Sequence, residues 1–220
     1  MEQPANFFQV VLIGTTVAVL PLLAVVMSSY TKIVVVFYIV RNALGVQQTP
    51  PNLALNGLAV ILSLYIMAPV VSEAYQEIKD HDRYQTFEDF EYAYTKASQP
   101  IRAFLTDHST PKGRQFFIVS ADKVWGDRAH SLPQSTDLIV LVPAFMVAEL
   151  TKAFEIGFLL YLPFVAIDLV VTNLLMALGM MMVSPVVLSV PFKLFLFVIV
   201  DGWTRMVNGL VLSYAVPGGG

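Results

Sequence analysis

Two long apolar stretches, residues 7–72 and 138–216, enclose one polar block in a chain of 220 residues. Of the 13 Lys and Arg residues, eight lie between Glu73 and Asp137, as do 11 of the 16 acidic residues. A soluble globule carries charges over its whole surface, so this segregation excludes a simple soluble protein. The pattern predicts two membrane-derived regions that flank a water-facing block.

Four hydrophobic segments can be drawn, at about residues 7–40, 53–71, 138–178 and 186–215. Each is long enough to cross ~30 Å of hydrocarbon as a helix. The segments contain Pro21 in the first, Pro69 in the second, Pro143 and Pro163 in the third and Pro191 in the fourth. Because the first and third are too long for one straight span, each predicts two helices joined at a proline kink.

The predicted fold class is all-α. In lipid an open strand edge leaves backbone groups unpaired, and the alternating ten-residue segments of a membrane barrel are not seen. Gly45 predicts a helix end, and the pair Pro50-Pro51 predicts a new helix that begins near Asn52. In the polar block, a helix is predicted over residues 86–105. Its expected apolar face consists of Phe87, Phe90, Tyr94, Ala97, Ile101 and Phe104.

Four regions follow from this pattern. Residues 1–72 are predicted to form an N-terminal hydrophobic helical hairpin, and residues 73–137, called the middle block below, a small soluble helical domain. Residues 138–216 form a C-terminal hydrophobic hairpin with a methionine loop, and residues 217–220 are a tail.

Composition narrows the possible functions. Hydrophobic residues make up 56% of the chain and charged residues 13%, with a net charge of −3, so a basic surface for nucleic acid is absent. The chain has no Cys, and no motif for nucleotide binding, nucleophilic catalysis or zinc is found. We therefore expect no cofactor, no metal and no enzymatic activity.

Orientation depends on two basic residues beside the first short loop, Lys32 and Arg41. By the positive-inside rule they favour a cytoplasmic position for that loop. The middle block is then expected on the periplasmic side. The N-terminus lacks a basic region before its first apolar run, so a cleaved leader is not expected.

Several charges lie in or at the ends of apolar segments: Lys32, Asp168, Lys193, Asp201 and Arg205. Each costs roughly 2.5–3.5 kcal/mol in a membrane and normally faces a partner or a water cavity. A side chain at a helix end can instead reach the interface, which fits Arg205 and can fit Lys32. Asp168 has no such exit. It is expected to pair with a basic group inside an assembly, with Lys193 as one candidate. The alternative is that Asp168 belongs to a proton relay.

Glu149, Lys152 and Glu155 are spaced three residues apart, so Lys152 can pair with either carboxylate. The simplest interpretation is a solvated stripe on an apolar helix. Because its flanks are apolar, a stripe that faces a neighbouring subunit or a water-filled lumen is favoured, and the lumen slightly more.

Three methionines in a row, Met180, Met181 and Met182, interrupt the second apolar stretch. A methionine in a hydrophobic helix usually fills a core. Three in succession would point in three directions on a helix, and Gly179 and Ser184-Pro185 predict a loop here instead. Copies arranged in a ring would bring these side chains together in a lumen. There they would block water and ions and yield to a passing polypeptide.

Two regions resemble the FliP/SctR family over more than half of the chain. The first comprises SYTKIVVV (29–36) and RNALGVQQTPPN (41–52). The second runs from 149 to 203 and contains AFEIGF (153–158), YLPF (161–164), IDLV (167–170), LGMMM (178–182), PFK (191–193) and DGW (201–203). The middle block carries no assignable motif, as is typical of the family's variable region.

The resemblance implies a core subunit of the type III secretion export apparatus, which serves flagella and virulence injectisomes. It implies a ring, expected to contain five copies, completed by FliQ/SctS-like and FliR/SctT-like subunits. A switch protein of the FlhB/SctU type and an export-gate ring of the FlhA/SctV type would be neighbours. Secreted polypeptides would pass through this gate from the cytoplasm, and the family's methionine gasket corresponds to Met180, Met181 and Met182.

The resemblance also implies a place in the bacterial inner membrane, within the basal body, with lipid as a further partner. Helices of the family are lifted partly out of the bilayer, so the four segments need not all be lipid crossings. Flagellar members usually carry a cleavable leader, and its expected absence favours the injectisome branch.

Two other function classes fit the residues. A small-solute or proton transporter would use Asp168, Glu149 and Glu155 as its pathway and would work alone in vesicles. A purely structural assembly nucleus would enclose a lumen of no importance.

Overall fold

The computed structural model describes residues 18, 21–46, 48–79, 87–126, 132–180 and 182–215. Its helices are α1 (Tyr30–Ala43), α2 (Asn52–Lys79), α3 (Phe87–His108), α4 (Pro111–Trp125), α5 (Leu138–Ala177), α6 (Pro185–Ile199) and α7 (Gly202–Leu212). Residues 21–26 are helical as well, and no strand occurs within the described ranges. The predicted all-α fold class is confirmed.

Contacts between residues divide the chain into two compact units. The described residues of one unit come from Met1–Thr31 and Val70–Val147, and those of the other from Lys32–Pro69 and Ala148–Gly220. The first unit therefore contains α3 and α4, and the second contains α6 and α7.

Two helices in the described part of the chain are long and apolar enough to cross a membrane, α2 with 28 residues and α5 with 40. The pair α6 and α7 meets the same criterion only if the two helices are taken together, and they are bent by 61° at their junction. At 1.5 Å per residue, α5 is roughly 60 Å long, about twice the thickness of a hydrocarbon core. Much of α5 must therefore lie outside the hydrocarbon if the helix crosses it upright.

The third hydrophobic segment differs from the prediction of two helices. The helix α5 continues through both Pro143 and Pro163 without a break. A proline removes one backbone hydrogen bond and adds a local clash, which can bend a helix without ending it. In the same way, Pro69 lies inside α2 and Pro191 inside α6.

The boundaries around the first short loop agree with the prediction. The helix α1 ends at Ala43, Gly45 follows with φ of 76°, and α2 begins at Asn52. The first hydrophobic segment is interrupted at residues 27–29, between the helical residues 21–26 and α1.

The fourth hydrophobic segment, predicted as one stretch, is two helices that break at Asp201. Asp201 has φ of 52°, in the left-handed region, and directly precedes α7. A side chain at Gly202 would collide with the ring of Phe197. The ring of Trp203 packs edge-on against Phe197, with centroids 5.4 Å apart, and against Phe37 of α1 at 6.1 Å. These aromatic contacts fix the bend between α6 and α7 against α1.

We expect Gly202→Ala to lower the thermal unfolding midpoint of the purified protein. The added methyl group must displace the Phe197 ring, and overpacking of this kind costs about 1–3 kcal/mol. The matched control is Gly209→Ala in the same helix, where a methyl group would meet nothing within 4 Å. That control should be neutral or slightly stabilising. Equal midpoints for the two variants would contradict the packing described here.

The described residues of the middle block contain α3, α4 and the end of α2, and α3 contains residues 87–105 of the predicted helix. Its buried side is only partly the predicted face. Phe104 is buried and its ring lies 5.7 Å from that of Phe145 in α5, whereas Tyr94 is 59% exposed. Arg102 of α3 donates to the carbonyl oxygen of Thr136 at 2.7 Å. The residues around Phe104 therefore anchor α3 to the start of α5. The side chains of Phe87 and Phe90, which the sequence placed on the same face, lie outside the described part of the chain.

Candidate functional site

The helix α5 is followed by a loop, residues 178–184, which is called the methionine loop below. Gly179 has φ of 71°, which favours glycine. Its N–H donates to the carbonyl of Met176 at 3.1 Å, and the N–H of Met180 donates to that of Leu175 at 2.9 Å. These two bonds form a Schellman motif, which ends a helix and redirects the chain.

The other end of the methionine loop is set by α6. Ser184 precedes the helix in an extended conformation and Pro185 occupies its first position. Between these fixed ends, Met182 is fully exposed and Met180 is 44% exposed. Met181 lies outside the described residues. Two apolar side chains of the predicted gasket thus project from a short loop with ordered helices on both sides.

The structure brings Asp168 of α5 and Lys193 of α6 together. The Lys193 Nζ lies 2.6 Å from Asp168 Oδ2, with the lysine side chain 3% exposed and the aspartate 31% exposed. Ser189 donates its hydroxyl to the other carboxylate oxygen at 2.5 Å. Both carboxylate oxygens of Asp168 are therefore bound by side chains of α6.

Lys193 has a second partner. Its Nζ donates to the backbone carbonyl of Ala43 at 3.1 Å, the last residue of α1. A cation at a helix C-terminus compensates the unpaired carbonyl groups there. This arrangement of Asp168, Ser189 and Lys193, called the hairpin ion pair below, joins α5, α6 and the end of α1.

A second buried arrangement, called the inner charge cluster, consists of Lys32, Glu149 and Tyr214. Lys32 Nζ lies 3.5 Å from Glu149 Oε2, and the two side chains are 1% and 0% exposed. Tyr214 donates its hydroxyl to the same carboxylate oxygen, and Lys32 Nζ lies 3.4 Å from the centre of its ring. One tyrosine therefore contacts both charges, through a hydrogen bond and through its π face.

Glu149, Lys152 and Glu155 do not form a single stripe, because Glu149 belongs to the inner charge cluster. Glu149 is buried, with its carboxylate in contact with Lys32 and Tyr214, whereas Glu155 is exposed. Lys152 lies between them, 40% exposed, with Nζ 3.8 Å from Glu149 Oε1. Lys32 is likewise buried in this pair and does not extend to an interface.

The remaining predicted charges lie at helix ends. Arg41 donates to the side chain of Asn52 at 2.5 Å and to the carbonyl of Pro50 at 3.4 Å, so it holds α1 against the start of α2. Asp201 is exposed, and its carboxylate accepts a hydrogen bond from the Thr204 hydroxyl at 3.0 Å. Neither belongs to a buried cluster.

Sequence reasoning missed Tyr214 and Ser189. A tyrosine or serine at the edge of an apolar run carries no charge, and only the fold shows that it meets a buried ion. The part of the chain that the structure describes holds no group of three or more His, Cys, Asp or Glu residues able to bind a metal.

Comparison with known proteins agrees with the resemblance noted in the sequence. The profile of the FliP family matches residues 13–210. The "Yop proteins translocation protein R" of Yersinia pestis is 46% identical over 215 residues, which is 97% of this chain and 99% of that protein. The "Hypersensitivity response secretion protein HrcR" of Ralstonia nicotianae is also 46% identical, over 96% of this chain and 99% of that protein.

A third relative is the "Virulence protein YscR" of Salmonella typhimurium, which is 41% identical over 98% of this chain and 100% of its own length. The family match includes α1, the methionine loop, the hairpin ion pair and, of the inner charge cluster, Lys32 and Glu149. The predicted family membership is confirmed: this chain belongs to the FliP family.

Proposed function

We propose that this protein is a non-enzymatic channel subunit of a type III protein secretion export apparatus, in the injectisome branch. The relatives named for Yop translocation, for hypersensitivity-response secretion and for virulence support this, since they match nearly the whole chain. The long apolar helices α2 and α5 support a place in a membrane. We assign it to the bacterial inner membrane within the basal body, with the middle block on the periplasmic side.

In this proposal several copies form a ring, five of them by family resemblance, together with FliQ/SctS-like and FliR/SctT-like subunits. The FlhB/SctU-like switch and the FlhA/SctV-like gate adjoin the ring, and secreted polypeptides pass through it. Large apolar side chains that a single copy leaves exposed support such an assembly. They include Leu64 and Tyr65 of α2, Phe158 and Leu159 of α5 and Phe195 of α6.

The observation that carries the proposal is the exposure of Met180 and Met182 in a loop held at both ends. An exposed apolar group costs free energy in water, and a ring of copies would cover these side chains with one another. Methionine is unbranched and adaptable, so such a ring would be closed when no substrate is present. Its side chains could move aside for a polypeptide of any sequence. Hydrophobic constrictions of this kind exclude water when they are narrow.

Replacement of Met180, Met181 and Met182 with Ala should leave assembly intact and make the closed channel leak ions. The side chains become too short to meet, while the helices that carry the loop keep their contacts. The measurement is the conductance of the complex, purified with its co-expressed partners, in a planar bilayer. We expect an increase of at least several-fold over the unaltered complex.

The matched control is Met176→Ala, which removes an exposed methionine from the last turn of α5 rather than from the loop. It should leave conductance unchanged. A triple Ala variant that assembles and stays closed would overturn the sealing role of the loop. So would a Met176→Ala variant that leaks as strongly.

A small-solute or proton transporter would instead need its carboxylates to exchange protons with water. Glu149 is fully buried against Lys32 and Tyr214, and Asp168 is held by Lys193 and Ser189. These contacts favour a structural role for both. Proton flux into vesicles that contain this protein alone would support the transporter.

A further inference from the structure

Methionine sulfur atoms in this protein differ widely in their access to solvent. Met182 is fully exposed and Met180 is 44% exposed, whereas Met206 of α7 is only 6% exposed. Met146 of α5 is intermediate, and the Thr31 hydroxyl lies 3.8 Å from its sulfur. In a single copy the side chains of Met180 and Met182 are thus open to small reagents, and in the proposed ring they would face the lumen, which a small reagent can enter from either end. Met206 is protected within the fold.

Thioethers react with peroxides in a defined way. The sulfur attacks one oxygen of hydrogen peroxide, the O–O bond breaks, and an S–O bond forms. The sulfur is oxidised by two electrons to the sulfoxide, and the second oxygen leaves as water. The product is polar and chiral, and methionine sulfoxide reductases return it to the thioether.

We propose that Met180 and Met182 form an oxidation-sensitive site, at which a peroxide converts the apolar seal into a polar one and opens the closed channel to water and ions. This inference rests on the proposed function, because it requires the methionine loop to be the seal. An apolar constriction excludes water by dewetting, and each sulfoxide oxygen is a hydrogen-bond acceptor that restores water to it.

The local structure favours a change that is confined to the seal. The Schellman bonds at Gly179 and Met180 use only backbone atoms, and Pro185 starts α6 without side-chain help from the loop. The side chains of Met180 and Met182 are not part of a buried core. Oxidation therefore alters the chemistry of the loop without removing a contact that holds α5 or α6, and reduction should restore the seal.

The experiment uses the complex purified with its co-expressed partners and inserted in a planar bilayer. Hydrogen peroxide is added in steps while conductance is recorded, and peptide mass mapping locates each added oxygen. We expect Met180 and Met182 to gain oxygen well before Met206. Conductance should rise at least several-fold in parallel and fall again after treatment with the two methionine sulfoxide reductases, one for each sulfoxide epimer.

The control variant carries Leu at all three positions of the triplet, Met180→Leu, Met181→Leu and Met182→Leu. Leucine has nearly the same volume and no sulfur, so the conductance that this variant shows before treatment should not change when peroxide is added. A peroxide response equal to that of the unaltered complex would overturn the proposal. Oxidation of Met206 before the loop methionines would also overturn it.

Failure of this inference can be told apart from failure of the proposed function. If the loop methionines gain oxygen and conductance stays low, while the triple Ala variant leaks, the seal exists and is not oxidation-sensitive. If the triple Ala variant does not leak, the loop is not a seal, and the inference fails with it.

Discussion

Glu149→Leu should destabilise the protein strongly. It leaves Lys32 buried beside the Tyr214 ring without the carboxylate that neutralises its charge. Removal of one partner from a buried ion pair costs about 3–5 kcal/mol, because the other charge keeps its desolvation penalty. The measurement is the thermal unfolding midpoint of the full chain in detergent, together with the yield of folded protein.

The same physics predicts a rescue. Replacement of both charges, Lys32→Met with Glu149→Leu, should recover most of the loss, since an apolar pair in place of a buried ion pair is often neutral or stabilising. Recovery should be incomplete, because the hydrogen bond from the Tyr214 hydroxyl to Glu149 is lost. Addition of Tyr214→Phe removes the hydroxyl together with its lost bond and should bring the midpoint closer to that of the unaltered protein.

Glu155→Leu is the matched control for this series. It lies on the same helix, six residues further on, and is exposed. An exposed substitution of this kind should change stability by no more than about 0.5 kcal/mol. If Glu149→Leu is no more harmful than Glu155→Leu, the inner charge cluster does not contribute to stability as described.

The sequence predicted the fold where the signal was local. Gly45, Pro50 and Pro51 marked the loop between α1 and α2, because a residue with positive φ and a proline pair act on their immediate neighbours. The prediction that the prolines of α5 divide the third hydrophobic segment into two helices was wrong, because the signal there is not local. Whether Pro143 or Pro163 ends a helix depends on the packing around it, which local sequence does not contain.

The charged residues show the same division. Asp168 could be predicted to need a partner because its apolar flanks give it no exit, and Lys193 was a candidate for that partner. For Glu149 the helical spacing pointed to Lys152, one turn away, whereas the structure places it against Lys32 of α1 as well. The spacing of residues along one helix predicts contacts within that helix, and it does not predict contacts with another helix.

Lys193→Glu should abolish secretion and lower the yield of assembled complex. The substitution puts a second carboxylate next to Asp168, in a position that is nearly closed to solvent. It also removes the donor to the Ala43 carbonyl, so the end of α1 loses its cation. A like-charge pair at this distance is unfavourable and the loss of a buried partner alone costs about 3–5 kcal/mol. Secretion of a reporter substrate and co-purification of partner subunits are the measurements.

The charge swap Asp168→Lys with Lys193→Glu tests whether the hairpin ion pair acts as a pair. It restores attraction between α5 and α6, but Glu at position 193 cannot donate to Ala43, so secretion should recover only in part. Lys193→Arg keeps both the charge and the donors and should preserve more activity than the swap, although its planar group is longer and less compact. A swap that secretes no better than Lys193→Glu would show that the two residues are not coupled in the working complex. Partial recovery by the swap, together with an active Lys193→Arg variant, would instead support the hairpin ion pair as a contact that holds α5 and α6 together. These are the two helices that carry the methionine loop.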